Sequence, residues 1–139
     1  FFAYKKVDIF KPNLKEALEA LNIVGNNLSE GLLMEIHAAL YNTLGHRASF
    51  ITLSENGVYY QSDKESGWIP THVRRIADVS GAGDTVIAVA SLVYAATKSF
   101  KLMAEIANIA GGMVCEEVGT VAIHNEKLLA ECKLLLKCN

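Results

Sequence analysis

An α/β layered fold is predicted for this chain of 139 residues. Short β-rich runs sit near residues 4–11, 48–54 and 58–61, while other stretches repeat apolar residues every three or four positions. The order is strand, helix, strand, hairpin strands, then helices, which suits a sheet covered by helices. Hydrophobic residues make up 51% and charged residues 20%, so the chain can bury a core and is not intrinsically disordered.

Tyr4 to Lys11 reads as a strand with Val7 and Ile9 on one face and Asp8 between them. Pro12 ends it, since proline brings no ladder donor, and Asn13 can cap a helix from Leu14 to Leu21. Leu32, Leu33, Ile36, Leu40 and Leu44 predict a helix from about Glu30 to Leu44, with Gly45 placed as a C-cap. Ala48 to Ser54 is a second strand, and Asn56-Gly57 marks a tight turn into a third, Val58 to Gln61. Trp68 to Val73 reads as a fourth strand, kept to an edge or a bulge by Pro70, and a further strand is expected to end near Ala77. Ala82 to Thr97 is small or apolar after Asp84, which suits a helix buried on most sides. Leu102, Ile106, Ile109 and Met113 give a second helical stripe; Leu128, Leu129, Cys132, Leu135 and Leu136 give a third.

Thirteen Lys and Arg against fifteen Asp and Glu leave a net charge of −2, which argues against a nucleic-acid partner. The pairs Lys5-Lys6 and Arg74-Arg75 read as solvated edges. No apolar run reaches the roughly 18 residues of a membrane helix, so no membrane partner is expected. The opening FFAYKKVDIF lacks the order of a signal peptide, and its abrupt start reads as a cut. Cys115, Cys132 and Cys138 are odd in number without C-x-x-C spacing, which fits a reducing cytoplasm. Cys132 falls on the last helical stripe, and Cys138 reads as an exposed thiol. His37, His46, His72 and His124 have no metal spacing and read as surface or partly buried side chains. Tyr59, Tyr60 and Trp68 fit hairpin packing better than base stacking.

The stretch from Asp78 to Thr85, DVSGAGDT, carries chemistry. A small-residue turn leads into a long helix, so the N–H groups of Gly81, Ala82 and Gly83 are uncovered at the positive end of a helix dipole. Asp84 falls in the first turn. A lone Asp there is what the dipole favours; beside a phosphate it can also take a proton from an attacking hydroxyl. Phosphoryl transfer needs both donors for the developing charge and a base in line with the nucleophile. Neither G-x-x-x-x-G-K-[ST] nor G-x-G-x-x-G is present, which disfavours a P-loop and a dinucleotide fold. Asn13 and Glu16 lie one helical turn apart. They fit a capping box and equally a carboxylate that holds a water of Mg²⁺.

These motifs together resemble the ribokinase-like (PfkB) carbohydrate kinases. DVSGAGDTVIA resembles the family's C-terminal signature, KPNLKEA its P-N-x-x-E element, and TLSENG its nucleotide-binding strand and turn. GAGDTVIAV, IPTHV and GMVCEEVGTVAI are similar to the heptose 7-phosphate kinase branch. The resemblance runs from Val7 to about Leu129. It implies the C-terminal part of a three-layer α/β/α fold, with residues 1–139 as the ATP-binding part and the sugar-binding part and lid upstream. It implies transfer of the ATP γ-phosphate to a sugar hydroxyl, here the anomeric one of a sugar phosphate. Asp84 would be the base, with Gly81, Ala82 and Gly83 as the anion hole. Asn13, Leu14, Lys15 and Glu16 would serve the phosphates and hydrated Mg²⁺. Thr52, Leu53, Ser54, Glu55, Asn56 and Gly57 would line the nucleotide, together with Asn108 on its adenine side. Asp78 and Ser80 stand where some members hold a monovalent cation such as K⁺, and Thr120 is expected in the nucleotide or cation loop. Ser54 departs from the glycine of many members.

The same residues leave two other readings: a different sugar or nucleoside kinase of this fold, or a nucleotide-binding module without catalysis. An unpaired first strand and a high apolar fraction also predict self-association into a homo-oligomer. Light scattering at high concentration should then give a mass above that of a monomer, and a monomeric mass would refute this.

Overall fold

The computed structural model describes residues 1–24, 27–72 and 74–136. They divide into two compact units, Phe1–Trp68 and Ile69–Asn139.

The first unit is a mixed sheet with two helices. Its elements are β1 (Ile9–Phe10), α1 (Leu14–Leu21), α2 (Glu30–Leu44), β2 (Ala48–Thr52), β3 (Val58–Ser62) and β4 (Ser66–Ile69), with a 3₁₀ turn at Ser54–Asn56. The strand order is β1-β2-β3-β4. β1 runs parallel to β2 in the register Ile9↔Ala48, and β2 and β3 are antiparallel from Ala48↔Ser62 to Thr52↔Val58. Side chains cap the helices as local chemistry dictates. Asn13 starts α1, Ser29 Oγ accepts the Leu32 N–H, and Gly45 ends α2 in the left-handed region. One face of α2, made by Leu32, Leu33, Ile36, Leu40 and Leu44, joins Phe10, Ile51 and Tyr59 in the core. Truncating the fully buried Leu33 or Ile36 to Ala would cost about 2–5 kcal/mol.

Two strands differ from expectation. Of residues 4–11 only Ile9 and Phe10 form a ladder, because Lys6 turns left-handed (φ 58°) and interrupts the extended chain. β4 begins at Ser66 and stops before Pro70, which has no N–H to donate. Val73, the expected end of that strand, lies outside the described residues. Tyr59 and Tyr60 are buried, and Trp68 donates its indole N–H to the Asn56 carbonyl at 2.8 Å, so hairpin packing accounts for these rings.

His37 and His46 are buried, more deeply than the surface or partly buried positions expected of them. Both rings meet one hydroxyl: His37 Nδ1 lies 2.9 Å and His46 Nε2 2.7 Å from Ser49 Oγ. Ser49 has one proton, so it donates to one ring and accepts from the other. His46 Nδ1 is buried with no partner among the described residues. Charging His46 would put an unmatched N–H there. Burial, followed by repulsion from His37, accordingly lowers the His46 pKa to about 4, and burial lowers that of His37.

The second unit contains α3 (Ala82–Thr97), α4 (Phe100–Cys115) and α5 (Asn125–Leu135). Residues 70–81 hold no strand among those described, so the strand expected to end near Ala77 is absent. Instead, the N–H groups of Ala77 and Asp78 both donate to the Cys115 carbonyl, at 2.8 and 3.1 Å. Helices α3 and α4 pack through small residues: a Cβ at Gly111 would stand 2.7 Å from Val86 Cγ2. Tyr94 and Phe100 stack at 4.6 Å across the connection. α3 buries only Val86, Val89, Ala90 and Tyr94, and Leu92 is 72% exposed, so it is not enclosed on most sides. On α5 the expected stripe is covered in part: Cys132 is buried and Leu128, Leu135 and Leu136 are half-buried, whereas Leu129 faces solvent. Cys115 is half-buried, His124 exposed, and Cys138 lies outside the described residues. No helix among the described residues is long and apolar enough to cross a membrane.

The histidine pair gives the first unit a defined acid response. An unfolded histidine titrates near 6.5, so below that pH the unfolded chain binds protons that the folded chain excludes. Stability is full above about pH 6.5 and falls as the pH drops toward 4, by about 1 kcal/mol per pH unit. Urea unfolding followed by Trp68 fluorescence should show this slope between pH 6.5 and 4.5, and His46→Gln should flatten it. An equal slope in the variant would refute the assignment.

Candidate active site

In the first unit the ends of α1 and β2 lie side by side. Asn13 bridges to Thr52 in parallel fashion, and the Thr52 N–H donates to the Pro12 carbonyl at 3.2 Å. Asn13 and Glu16 form a reciprocal capping box: Asn13 Oδ1 accepts the Glu16 N–H and Glu16 Oε2 accepts the Asn13 N–H, both at 2.8 Å. Glu16 is exposed and keeps its other carboxylate oxygen. Among the described residues no group of three His, Cys, Asp or Glu gathers at one point.

After β2 the chain turns through Leu53–Gly57. The Leu53 N–H donates to the Gly57 carbonyl at 2.8 Å, and Ser54 sits in the left-handed region (φ 53°). A glycine adopts that conformation freely, whereas serine pays about 1 kcal/mol. A cavity of about 680 Å³ opens between α1 and this turn, lined among others by Leu14, Lys15, Leu53, Ser54, Glu55 and Asn56. Leu53 is also part of the core and Leu14 packs against it, so these two supply an apolar floor. Lys15 and Glu19 form an exposed pair at 3.8 Å, a contact of little energetic weight.

In the second unit the DVSGAGDT stretch forms a tight turn in front of α3. Gly81 is the N-cap with φ 74°, and no side chain caps the helix. The Ala82 N–H reaches back to the Val79 carbonyl at 3.3 Å, so it is partly engaged, unlike the open donor expected there. The N–H groups of Gly81, Gly83 and Asp84 have no acceptor among the described residues. The donors available to an anion are thus those of Gly81, Gly83 and Asp84. The Asp84 side chain is exposed in the first turn.

Asp78 holds this turn. Its Oδ1 accepts the Ser80 N–H at 2.9 Å and the Ser80 hydroxyl at 2.7 Å, and its Oδ2 accepts the Gly119 N–H at 3.0 Å. These bonds, the Ser80 hydroxyl foremost, hold its carboxyl below the ordinary carboxylate range. Thr120 lies beneath the turn: a Cβ at Gly81 would come within 2.8 Å of its Cγ2.

Asn108 is buried in α4 and donates to the Pro70 carbonyl at 2.9 Å, so its amide nitrogen anchors the segment that enters the unit. Arg74 is not a solvated edge. Its side chain is 7% exposed and binds Glu116 at 2.8 Å and Glu131 at 3.1 Å. No local spacing announces this cluster, because its members lie 42 and 57 residues apart.

The fold is that of known sugar kinases. Phosphofructokinase-2 from Escherichia coli, solved with potassium, superposes with a TM-score of 0.84 over 97% of this chain and 43% of its own, at 17% identity. Ribokinase from Thermotoga maritima gives 0.77 over 91% and 42%, at 22% identity. Residues 3–127 match the profile of the pfkB family carbohydrate kinases, and the chain belongs to that family. Among curated relatives, the bifunctional protein HldE of Marinomonas sp. (strain MWYL1) is 38% identical over 129 residues, 92% of this chain and 26% of that protein. HldE of Campylobacter curvus is 36% identical over 87% of the chain and 25% of its own length. The chain thus spans about a quarter of the length of these relatives.

The turn makes a specific demand at Gly81, which combines a left-handed φ with close contact to Thr120. Gly81→Ala should destabilise the second unit by about 1–3 kcal/mol in urea unfolding. Adding Thr120→Ser, which removes the clashing methyl, should recover only the steric share. Full recovery would show that backbone strain is not involved.

Proposed function

We propose that this chain carries the ATP-binding and base-bearing part of a D-glycero-β-D-manno-heptose 7-phosphate 1-kinase, which supplies precursors of ADP-heptose and lipopolysaccharide. The observation that carries the reading is the exposed Asp84 carboxylate in the first turn of α3, next to N–H groups of Gly81, Gly83 and Asp84 that lack acceptors. Relatives at 34–38% identity named HldE support the choice of sugar.

In this reading Asp84 takes the proton of the C1 hydroxyl as its oxygen bonds to the γ-phosphorus of ATP. The bond to the bridging oxygen breaks and ADP leaves. The open N–H groups at the start of α3 donate to the phosphoryl oxygens as charge builds on them. Thr52–Gly57 and Asn108 serve the nucleotide, with the latter's buried amide also fixing local structure. Asn13 orders the start of α1, and Glu16 offers its second carboxylate oxygen to a metal-bound water. Mg²⁺, when bound, would neutralise phosphate charge. Asp78 and Ser80 present oxygens of the hard type that K⁺ accepts. The working compartment is the cytoplasm, where ATP is available. Because sugar-reading residues are expected outside these 139 residues, the chain alone should turn over little.

The decisive experiment is Asp84→Asn in the natural polypeptide, with ADP release measured on heptose 7-phosphate. The kcat should fall by roughly 10²–10⁴ while the KM for ATP stays within a few-fold. Unchanged kcat would remove Asp84 from the role of base. A second assay with fructose 6-phosphate, ribose and a nucleoside would identify another acceptor if heptose 7-phosphate is not used.

A further inference from the structure

We infer that Arg74 is a positioning residue for the turn in front of α3. By bridging Glu116 and Glu131, it fixes residues 115–119 against residues 77–81 and so sets the direction of the Gly83 and Asp84 N–H groups. The inference rests on the reading of that turn as a phosphate site.

The bridge is built into its surroundings. A guanidinium that is 7% exposed must find partners, and Arg74 uses separate nitrogens for two carboxylates. Helix α4 makes room for it: a Cβ on Gly112 would stand 2.7 Å from Arg74 Nε. Glu116 closes α4, and Glu131 sits within α5. The bond to Glu131 ties α5 to Arg74 beside the face that Cys132 and the half-buried Leu128 and Leu135 supply.

The same two stretches of chain are then joined again closer to the turn. Cys115, the neighbour of Glu116, accepts the N–H groups of Ala77 and Asp78. Asp78 in turn accepts from Gly119, and Thr120 supports Gly81. Arg74 is thus the first of a row of links, polar as far as Asp78 and Ser80 and a methyl contact at Gly81, that ends at the N-cap of α3. Releasing it frees residues 115–119 to shift, and the acceptor that orders Ala77 and Asp78 shifts with them. A lysine does not replace it, because one ammonium on a flexible stem cannot present two fixed nitrogens to two carboxylates.

The test uses the ¹⁵N-labelled chain with Arg74→Met, Arg74→Lys and Glu131→Gln, and inorganic phosphate as the probe. Circular dichroism should keep its helical signal, and amides deep in the α3–α4 pair should keep their protection. Hydrogen exchange at Asp78 and Gly119 should quicken about tenfold or more in both Arg74 variants. Phosphate-induced shifts at Gly83 and Asp84 should need about tenfold more phosphate. Glu131→Gln, which keeps Arg74 and one ion pair, should fall between, and it decides the matter if Arg74→Met fails to fold. Unchanged exchange and unchanged phosphate response in Arg74→Lys and Glu131→Gln would overturn the inference. If Gly83 and Asp84 of the unaltered chain ignore phosphate, the reading of the turn as a phosphate site fails, whereas the exchange data still show whether Arg74 orders it.

Discussion

The Asp78 carboxylate, bonded to Ser80 and Gly119, is the interaction on which the turn in front of α3 depends. A helix N-terminus normally loses its free N–H groups to a capping side chain or to water. At α3 no side chain caps, because Gly81 occupies the N-cap and its left-handed backbone turns the chain sharply into the helix. Such a turn needs outside support. Asp78 supplies it from one side and Thr120 from the other. Three donors directed at Asp78 also offset much of its negative charge, so it can sit near the uncapped N–H groups of α3.

Sequence and structure agree where the controlling forces are local. The bounds of α1, α2 and α3 are legible because Asn13, Gly45 and the Gly-Ala-Gly turn act within a few residues of the helix ends. The signature around Asp84 is legible for the same reason. The first strand misleads because Lys6 adopts a left-handed conformation that no side-chain pattern reveals. The stripe on α5 is half-covered and leaves Leu129 in solvent, because spacing gives a face and not how completely it is covered. Arg74 is misread as a solvated edge, and the full burial of His37 is missed, because their partners are distant; His46 shows no signal of its own, since its bond to Ser49, three residues on, matters only once the core closes over both. Ser49 lies 12 residues from His37, and Glu131 lies 57 from Arg74.

The two units keep their polar residues inside by different means. In the first, a hydroxyl bonds one nitrogen of each of two neutral imidazoles within an apolar core, and neutrality is what makes burial tolerable. In the second, a charged guanidinium is enclosed and two carboxylates balance it. The contrast follows from the material available. α2 brings five large aliphatic side chains to its core, while α3 and α4 meet through Gly111 and small residues that leave room for a planar cation over Gly112.

Ser54 bears on how firmly the first unit's turn is held. A serine at φ 53° is strained, and the strain persists only if the surroundings outweigh it. Here they do so on both flanks. Leu53 is anchored in the core, and its N–H and carbonyl bond to Gly57 and Asn56 respectively. Thr52 is tied to Pro12 and Asn13 at the head of α1. The residues between are therefore confined whatever the preference of their own backbone. A glycine in place of Ser54 would relax the local conformation but also widen the range open to the unfolded chain, so the two effects oppose each other. The serine is thus compatible with a fixed turn, because rigidity there comes from its neighbours and not from position 54 itself.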